Sequence, residues 1–243
     1  MIPLPPWQGL GKRLESALRK ALYDYSMLDG VSKLAVALSG GKDSLTLLFM
    51  LKAIVGRGFP DAQIVAIHVD GEFSCGAGVQ KNYLEAVCNE LEVPLLIRSS
   101  TMKLATLECY RCSRERRSMI FEAAKSVGAY TVAFGHHRDD NAQTLLLNLL
   151  HKGEFAGNLP KLEMVDYGVT LIRPLIFLSE RDIQTFAKQT GFARTMCQCP
   201  VGQKSMRKKV DQLLSEMERD FPNVRENVAQ ASLIYGSDKA RRS

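Results

Sequence analysis

The chain has 243 residues, is 46% hydrophobic, and carries 32 Lys and Arg against 26 Asp and Glu, for a net charge of +6 and a pI near 9.0. That is enough apolar material for a substantial core, and the basic balance is compatible with a polyanionic partner. The apolar stretch from Leu45 to Val55 is broken by Lys52 and falls short of the ~18 residues of a membrane span, so no membrane association is expected. The opening Met1 to Trp7 lacks the charged-then-apolar order of a signal peptide, and a cytoplasmic location is expected.

In chain order, residues 10–28 place Leu10, Leu14, Leu18, Leu22 and Tyr25 on one stripe, which predicts an amphipathic helix. The apolar run Leu34–Leu38 then reads as a buried strand that breaks into Ser39-Gly40-Gly41-Lys42-Asp43-Ser44 before a helix over 45–56. A strand, two glycines and a helix start make a device for holding phosphate. Gly40 and Gly41 can take positive φ and admit an anion close to the backbone, and the amides there and at the helix start point at it. Lys42 and the hydroxyls of Ser39 and Ser44 add donors, and Asp43 suits a magnesium ion. The turn is far shorter than a Walker A loop. It resembles the pyrophosphate loop of the ATP-pyrophosphatase (PP-loop) family, whose members split ATP between the α- and β-phosphates and adenylate a substrate.

Further strands are expected at 63–69, 94–98 and 130–135, alternating with helices near 79–91, 113–127 and 139–150. Continuous apolar strands in βαβα order predict a parallel, doubly wound sheet covered on both faces, with ligands at the carboxyl ends of the strands. The phosphate loop, the 70–78 loop, the pair Cys109-x-x-Cys112 and the stretch Gly135-His136-His137-Arg138-Asp139-Asp140 all follow strands and converge on that edge. Asp139 and Asp140 fall at a helix start, where carboxylates either cap the helix or assist magnesium; His136 would touch phosphate or the reacting base. After Val169–Leu175 the pattern turns helical near 179–190 and again from 207, with a cysteine-bearing loop between.

Clustered cysteines in a reducing compartment read as metal-binding or catalytic. Cys109 and Cys112, at or just before a helix N-terminus and beside Arg111, Arg114 and Arg116, are placed to be thiolates. Residue types alone leave open a four-cysteine zinc site, formed with Cys197 and Cys199, and a cluster held by three thiolates with one iron open. Cys88, between Val87 and Leu91, is expected in the core, and Cys75 is unassigned.

Ser39–Ser44, the Cys109/Cys112 pair leading into Ser113-Arg114-Glu115-Arg116-Arg117, Gly135–Asp140 with Gln143, Thr144 and Asn148, Leu159–Leu162, Arg173-Pro174-Leu175, Glu180 and the late cysteine loop are together similar to the TtcA-type tRNA-cytidine 2-thiolation enzymes. The resemblance runs in unbroken order from about residue 30 to about 208. It implies an α/β PP-loop (adenine nucleotide alpha hydrolase-like) fold with N- and C-terminal helical extensions, divided as a helical arm over 1–30, an ATP-binding catalytic domain over 31–190, and a cysteine loop with helices over 191–243. It further implies ATP and Mg2+, a 4Fe-4S cluster (Zn2+ being the alternative), tRNA as substrate, and a cysteine desulfurase as sulfur donor; a homodimer is possible. The C2 oxygen of the anticodon-loop cytidine at position 32 would attack the α-phosphorus, and sulfur held on the open iron or as a persulfide would then displace AMP. Catalytic roles fall on Lys42, Asp43, Cys109, Cys112 and Asp140. Nucleotide or base contacts fall on Ser39–Ser44, His136 and Arg173, and metal ligation on Cys109, Cys112, Cys197 and Cys199.

The late loop departs from the family's Cys-x-x-Cys, reading Met196-Cys197-Gln198-Cys199, so the third ligand is Cys197 by a one-residue shift, or Cys199, or the cluster is altered. Arg111, Arg114, Arg116 and Arg117, and then Lys204, Arg207, Lys208 and Lys209, form two basic groups beside the cysteine segments. They would suit phosphates flanking an extruded base. Competing readings are a uridine thiolase, a lysidine synthetase-like enzyme, and a zinc-stapled nucleotide- or RNA-binding protein without thiolation activity.

Overall fold

The computed structural model describes residues 5–71, 77–102, 109–192 and 206–236, the side chains of 77–80 and 109–112 excepted. In these residues α1 (Gly9–Asp24) precedes β1 (Lys33–Ala37), α2 (Lys42–Ile54), β2 (Gln63–Asp70), α3 (Ala77–Glu90), β3 (Leu95–Ser99), α4 (Cys109–Ser126), β4 (Thr131–Ala133) and α5 (Arg138–Lys152). There follow β5 (Lys161–Met164), β6 (Val169–Ile172), α6 (Glu180–Gln189), α7 (Met206–Met217) and α8 (Val224–Tyr235).

The six strands form one sheet in the order β3-β2-β1-β4-β6-β5. All neighbours run parallel except β5 against β6, where Leu162 pairs with Leu171. Alternation along the strands explains why both faces are covered. Leu34, Val36, Ile64 and Ala66 face a core built with α1, α2, α3 and α6, whereas Ala35, Ala37, Val65 and Ile67 face α4 through Ile120, Phe121 and Ala124. Helix α2 is buried at nearly every position, which accounts for its run of Leu45, Leu47, Leu48, Met50 and Leu51 in place of an amphipathic stripe. The α1 stripe of Leu14, Leu18 and Leu22 is buried in that same core.

One feature differs from the sequence expectation. The sheet is not wholly parallel: a polar four-residue edge strand, Lys161-Leu162-Glu163-Met164, turns through Gly168 at φ +62° into β6. A half-exposed strand this short carries too little apolar signal to be seen in sequence. The C-terminal helical region is two helices, α7 and α8, which pack against α5 through a small cluster of Ala142, Val210, Leu214, Val224 and Ala229.

Because β2 and β3 lie on one side of β1 and β4 on the other, the strand order reverses between β1 and β4. At such a switch point two connections leave the sheet in opposite directions and open a crevice at the carboxyl ends. The two motif-bearing segments follow those two strands.

Candidate active site at the switch point

The loop after β1 is organised by its own side chains. The Ser44 hydroxyl accepts from the Ser39 amide at 3.2 Å and donates to the Gly41 carbonyl at 3.0 Å; the Ser39 and Ser44 hydroxyls lie 3.1 Å apart. Gly40 has φ +84°, a backbone state in which a Cβ is strained. Gly41 does not: it is the extended N-cap of α2 at φ −76°, so the expected positive φ holds at Gly40 alone. No side chain caps α2. Its first-turn amides therefore carry the positive end of the helix dipole towards the crevice.

The segment after β4 meets this loop closely. A Cβ on Gly135 would lie 3.1 Å from both the Asp43 carbonyl carbon and the Ser44 amide nitrogen, so glycine is what lets the two segments touch. His137 is the N-cap of α5, closing a capping box in which its ring accepts from the Asp140 amide and Asp140 Oδ2 accepts from the His137 amide at 3.1 Å. With Nδ1 accepting, the ring proton of a neutral His137 sits on Nε2. That atom lies 3.4 Å from Asp140 Oδ2 and 3.8 Å from Asp43 Oδ1.

The result is an open cleft of about 340 Å3 lined by Lys42, Asp43, His137, Asp140, Gln143, Glu180, Arg207, Lys208 and Asp211. Its charges are paired among themselves. Lys42 Nζ is 3.0 Å from both Asp43 Oδ1 and Glu180 Oε1, and Arg207 Nη1 is 3.1 Å from Asp140 Oδ1. Burial works against the Lys42 ammonium, but Asp43 and Glu180 outweigh it and raise its pKa. Burial raises the Asp43 carboxyl, with His137 and Lys42 opposing. Asp140 goes the other way: burial opposes ionisation, yet the neighbouring His137 and the Arg207 guanidinium hold it below the usual range.

Asp43 Oδ1 is buried and accepts no hydrogen bond among the described residues, although the Lys42 ammonium is close. Two carboxylates flanking one imidazole beside an uncapped helix N-terminus fit a magnesium ion, which takes one or two carboxylates and completes its shell with phosphate and water. Among the described residues, no three acidic, His or Cys side chains converge as a preformed metal cage.

Of the nominated site residues, the structure brings Ser39–Ser44 and Asp140 together. His136 and Arg173 do not line the cleft. His136 stacks on Phe134 at 5.8 Å, and burial followed by the charge of Arg173 holds it neutral, well below its usual pKa. Arg173 is buried; it donates through Nη1 to the Leu159 carbonyl and through its amide to Pro160 at 2.8 Å. Cys109 opens α4 and Cys112 lies in its first turn. Their side chains, all of Cys197 and Cys199, and Cys75 lie outside the described residues. The thiol donor set itself suits an iron–sulfur cluster or zinc. Cys88 is buried, and desolvation pushes its thiol up to about 11.

Sequence reasoning assigned no site role to His137, which lines the cleft in place of His136, nor to Gly135, Glu180 or Arg207 as parts of it. Gly135 is betrayed only by the close approach. Glu180 is placed by Asp139, whose Oδ2 accepts the Glu180 amide at 2.6 Å. Arg207, read as part of an RNA-facing basic group, lines the cleft. Its signal was not local, since it meets residues 63 and 67 positions away.

A phosphate-binding turn at the β1/β4 switch point, with acidic residues opposite, defines a nucleotide-binding α/β protein of the PP-loop class, and a family profile described as a PP-loop domain matches residues 11–195. The fold is shared with the U34-tRNA thiolase NcsA from Methanococcus maripaludis, solved with its [4Fe-4S] cluster, at a TM-score of 0.73 and 22% identity over 91% of this chain and 78% of that one. NMN synthetase from Francisella tularensis is more distant, with a TM-score of 0.51, 12% identity, and 91% and 94% covered.

Curated relatives narrow the class. The tRNA-cytidine(32) 2-sulfurtransferase of Dechloromonas aromatica is 35% identical over 95% of this chain and 83% of its own length. That of Pelobacter propionicus is 33% identical over 91% and 85%. The chain belongs to the tRNA-cytidine(32) 2-sulfurtransferase family. No helix among the described residues is long and apolar enough to cross a membrane.

Proposed function

We propose that this protein uses ATP to adenylate the C2 oxygen of the anticodon-loop cytidine at position 32 of tRNA and replaces that oxygen with sulfur. The observation that carries the reading is the switch-point cleft, where an uncapped helix N-terminus and Lys42 face two carboxylates, in a chain alike over nearly its whole length to relatives named for this reaction. Cytidine O2 attacks the α-phosphorus and pyrophosphate leaves; sulfur at the hydrosulfide level then attacks C2, and AMP departs with the former O2.

The α2 amides and Lys42 bind the phosphates and stabilise charge developing on them. Asp43 and Asp140 would hold magnesium, which supplies charge neutralisation on the triphosphate. Neutral His136 and buried Arg173 stand beside the Asp140 helix start, where a base carbonyl or the α-phosphate would lie. Cys109, Cys112 and one of Cys197 and Cys199 would ligate a 4Fe-4S cluster, whose chemistry when bound is to hold incoming sulfur. In this reading residues 31–190 are the ATP-binding unit, 1–30 brace it, and 191–243 bring the late cysteines and the outer wall of the cleft. A cysteine desulfurase supplies the sulfur, the setting is the cytoplasm, and a homodimer is compatible with the family.

Nucleoside mass spectrometry of tRNA from a strain lacking the gene tests this. Loss of 2-thiocytidine, restored by the wild-type gene and not by Lys42→Ala, is the expected result. Intact 2-thiocytidine with loss of lysidine or a thiouridine would refute it.

A further inference from the structure

The floor of the cleft is a row of alternating groups: Lys42, Asp43, His137, Asp140, Arg207. The first four come from the two segments at the switch point. Arg207 comes from α7, far along the chain, and phosphate-loop chemistry alone gives it no task. Its placement is nevertheless built. Gln143 of α5 donates to Asp211 of α7 at 2.9 Å, and Arg225 of α8 donates to the same carboxylate at 2.8 Å. Val210 and Leu214 bury against Ala142. These anchors set the first turn of α7 at the mouth of the cleft. There Arg207 gives one hydrogen bond to Asp140 Oδ1 and one, at 3.2 Å, to Thr144 Oγ1, while nearly half of the side chain faces solvent.

We infer that Arg207 takes the outer phosphates of the nucleotide and holds the leaving pyrophosphate, and that Asp140 keeps it aimed at the cleft until that anion arrives. The inference rests on the ATP-cleaving reading above. A pyrophosphate carries several negative charges, and Lys42 is already shared between two carboxylates. A planar guanidinium with donors to spare is the group suited to bridge phosphate oxygens bidentately. Lys208, which also lines the cleft, adds a point charge beside it. An arginine docked on a carboxylate is also ready to change partners, because phosphate oxygens offer it the same charge-assisted contacts that Asp140 does.

The test is calorimetric titration of the full-length protein with inorganic pyrophosphate and, separately, with AMP, at fixed salt. Arg207→Ala should weaken pyrophosphate binding about 10- to 100-fold, the size of a lost charge-assisted contact, and leave AMP binding within about twofold. Arg207→Lys should recover part of the loss, because it restores charge without the fork. Asp140→Asn should tighten metal-free pyrophosphate binding several-fold by removing the competing partner. Should the alanine variant lose its helical circular dichroism, Arg207→Gln carries the same comparison. Equal pyrophosphate affinity in wild type and variant overturns the inference. So does a variant that keeps pyrophosphate but loses an anticodon stem-loop RNA, which would return Arg207 to RNA contact. A wild-type protein that binds neither ATP nor pyrophosphate instead refutes the underlying reading.

Discussion

The two walls of the cleft are made by different physics. The inner wall, from Ser39 to Ser44, is six consecutive residues whose donors are largely backbone amides, fixed by two serine hydroxyls and a helix start. The outer wall is assembled from α5, α7 and α8, which pack through a small apolar cluster and whose polar groups are fixed by side-chain bonds between different helices or turns: Gln143 to Asp211, Arg207 to Asp140, Arg225 to Asp211, Glu218 and Asp139. Backbone donors tolerate substitution of their own side chains but not a change of backbone path. A wall of ion pairs keeps its path and is sensitive to single side-chain deletions, to salt and to pH.

The largest effect should come from disturbing the backbone path. Gly135→Val places branched carbon against the Asp43 and Ser44 main chain, 3.1 Å from where a Cβ would begin. It should abolish ATP binding in calorimetry and lower stability by about 1–3 kcal/mol in urea unfolding, as overpacking does. A valine variant that still binds ATP would show that the inner wall can move. Next, Lys42→Ala should cost about 100-fold in the single-turnover rate of pyrophosphate release, the scale of one preorganised donor, with little change in melting temperature.

Arg225→Ala tests the outer wall from behind, through the cleft-lining Asp211 that it holds. Its guanidinium lies 2.8 Å from Asp211 and 3.0 Å from Glu218, both partly exposed, so the loss should be about 1–3 kcal/mol. Pyrophosphate affinity should fall about tenfold through a misplaced Arg207, while the α2 side is untouched; unaltered affinity would separate α8 from the site.

The smallest effect is with pH. His68 is buried and bonded at 2.8 Å to the Leu38 carbonyl, to which Nδ1 must donate; burial lowers its pKa, as it does for His136. Both are depressed below the unfolded value of ~6.5, so below that pH the unfolded chain binds more protons. Their contribution is complete above pH 6.5 and is lost progressively as pH falls below it, down to about 3 for His136. Asp43, with a raised pKa, acts oppositely and only lower, in the carboxylate range. The unfolding free energy from urea titration should therefore drop by roughly 1 kcal/mol between pH 7 and 5.5, and His136→Asn should reduce that slope.

Legibility in the sequence followed the same division. Strands β1 to β4, the helix that follows β1 and the phosphate turn could be read because the apolar runs are continuous and the turn residues adjacent. The His-His-Arg-Asp-Asp stretch was also visible, but not which histidine faces the cleft. Neighbouring residues leave a strand end in different directions, and the capping box that aims His137 inward depends on α5 starting at Arg138. Edge strand β5 was too short and polar to see.

What the sequence alone determined is the chemistry on offer: a phosphate turn, two carboxylates, cysteine pairs and their order along an α/β chain. Local backbone preference and hydrophobic period decide those, and both are properties of short windows. Only the tertiary structure decided that Gly135 must be small, that Glu180 shares Lys42, and that Arg207 closes the cleft. Each depends on two segments being brought together by packing, whose driving force is burial and carries no signature in the residues that happen to meet.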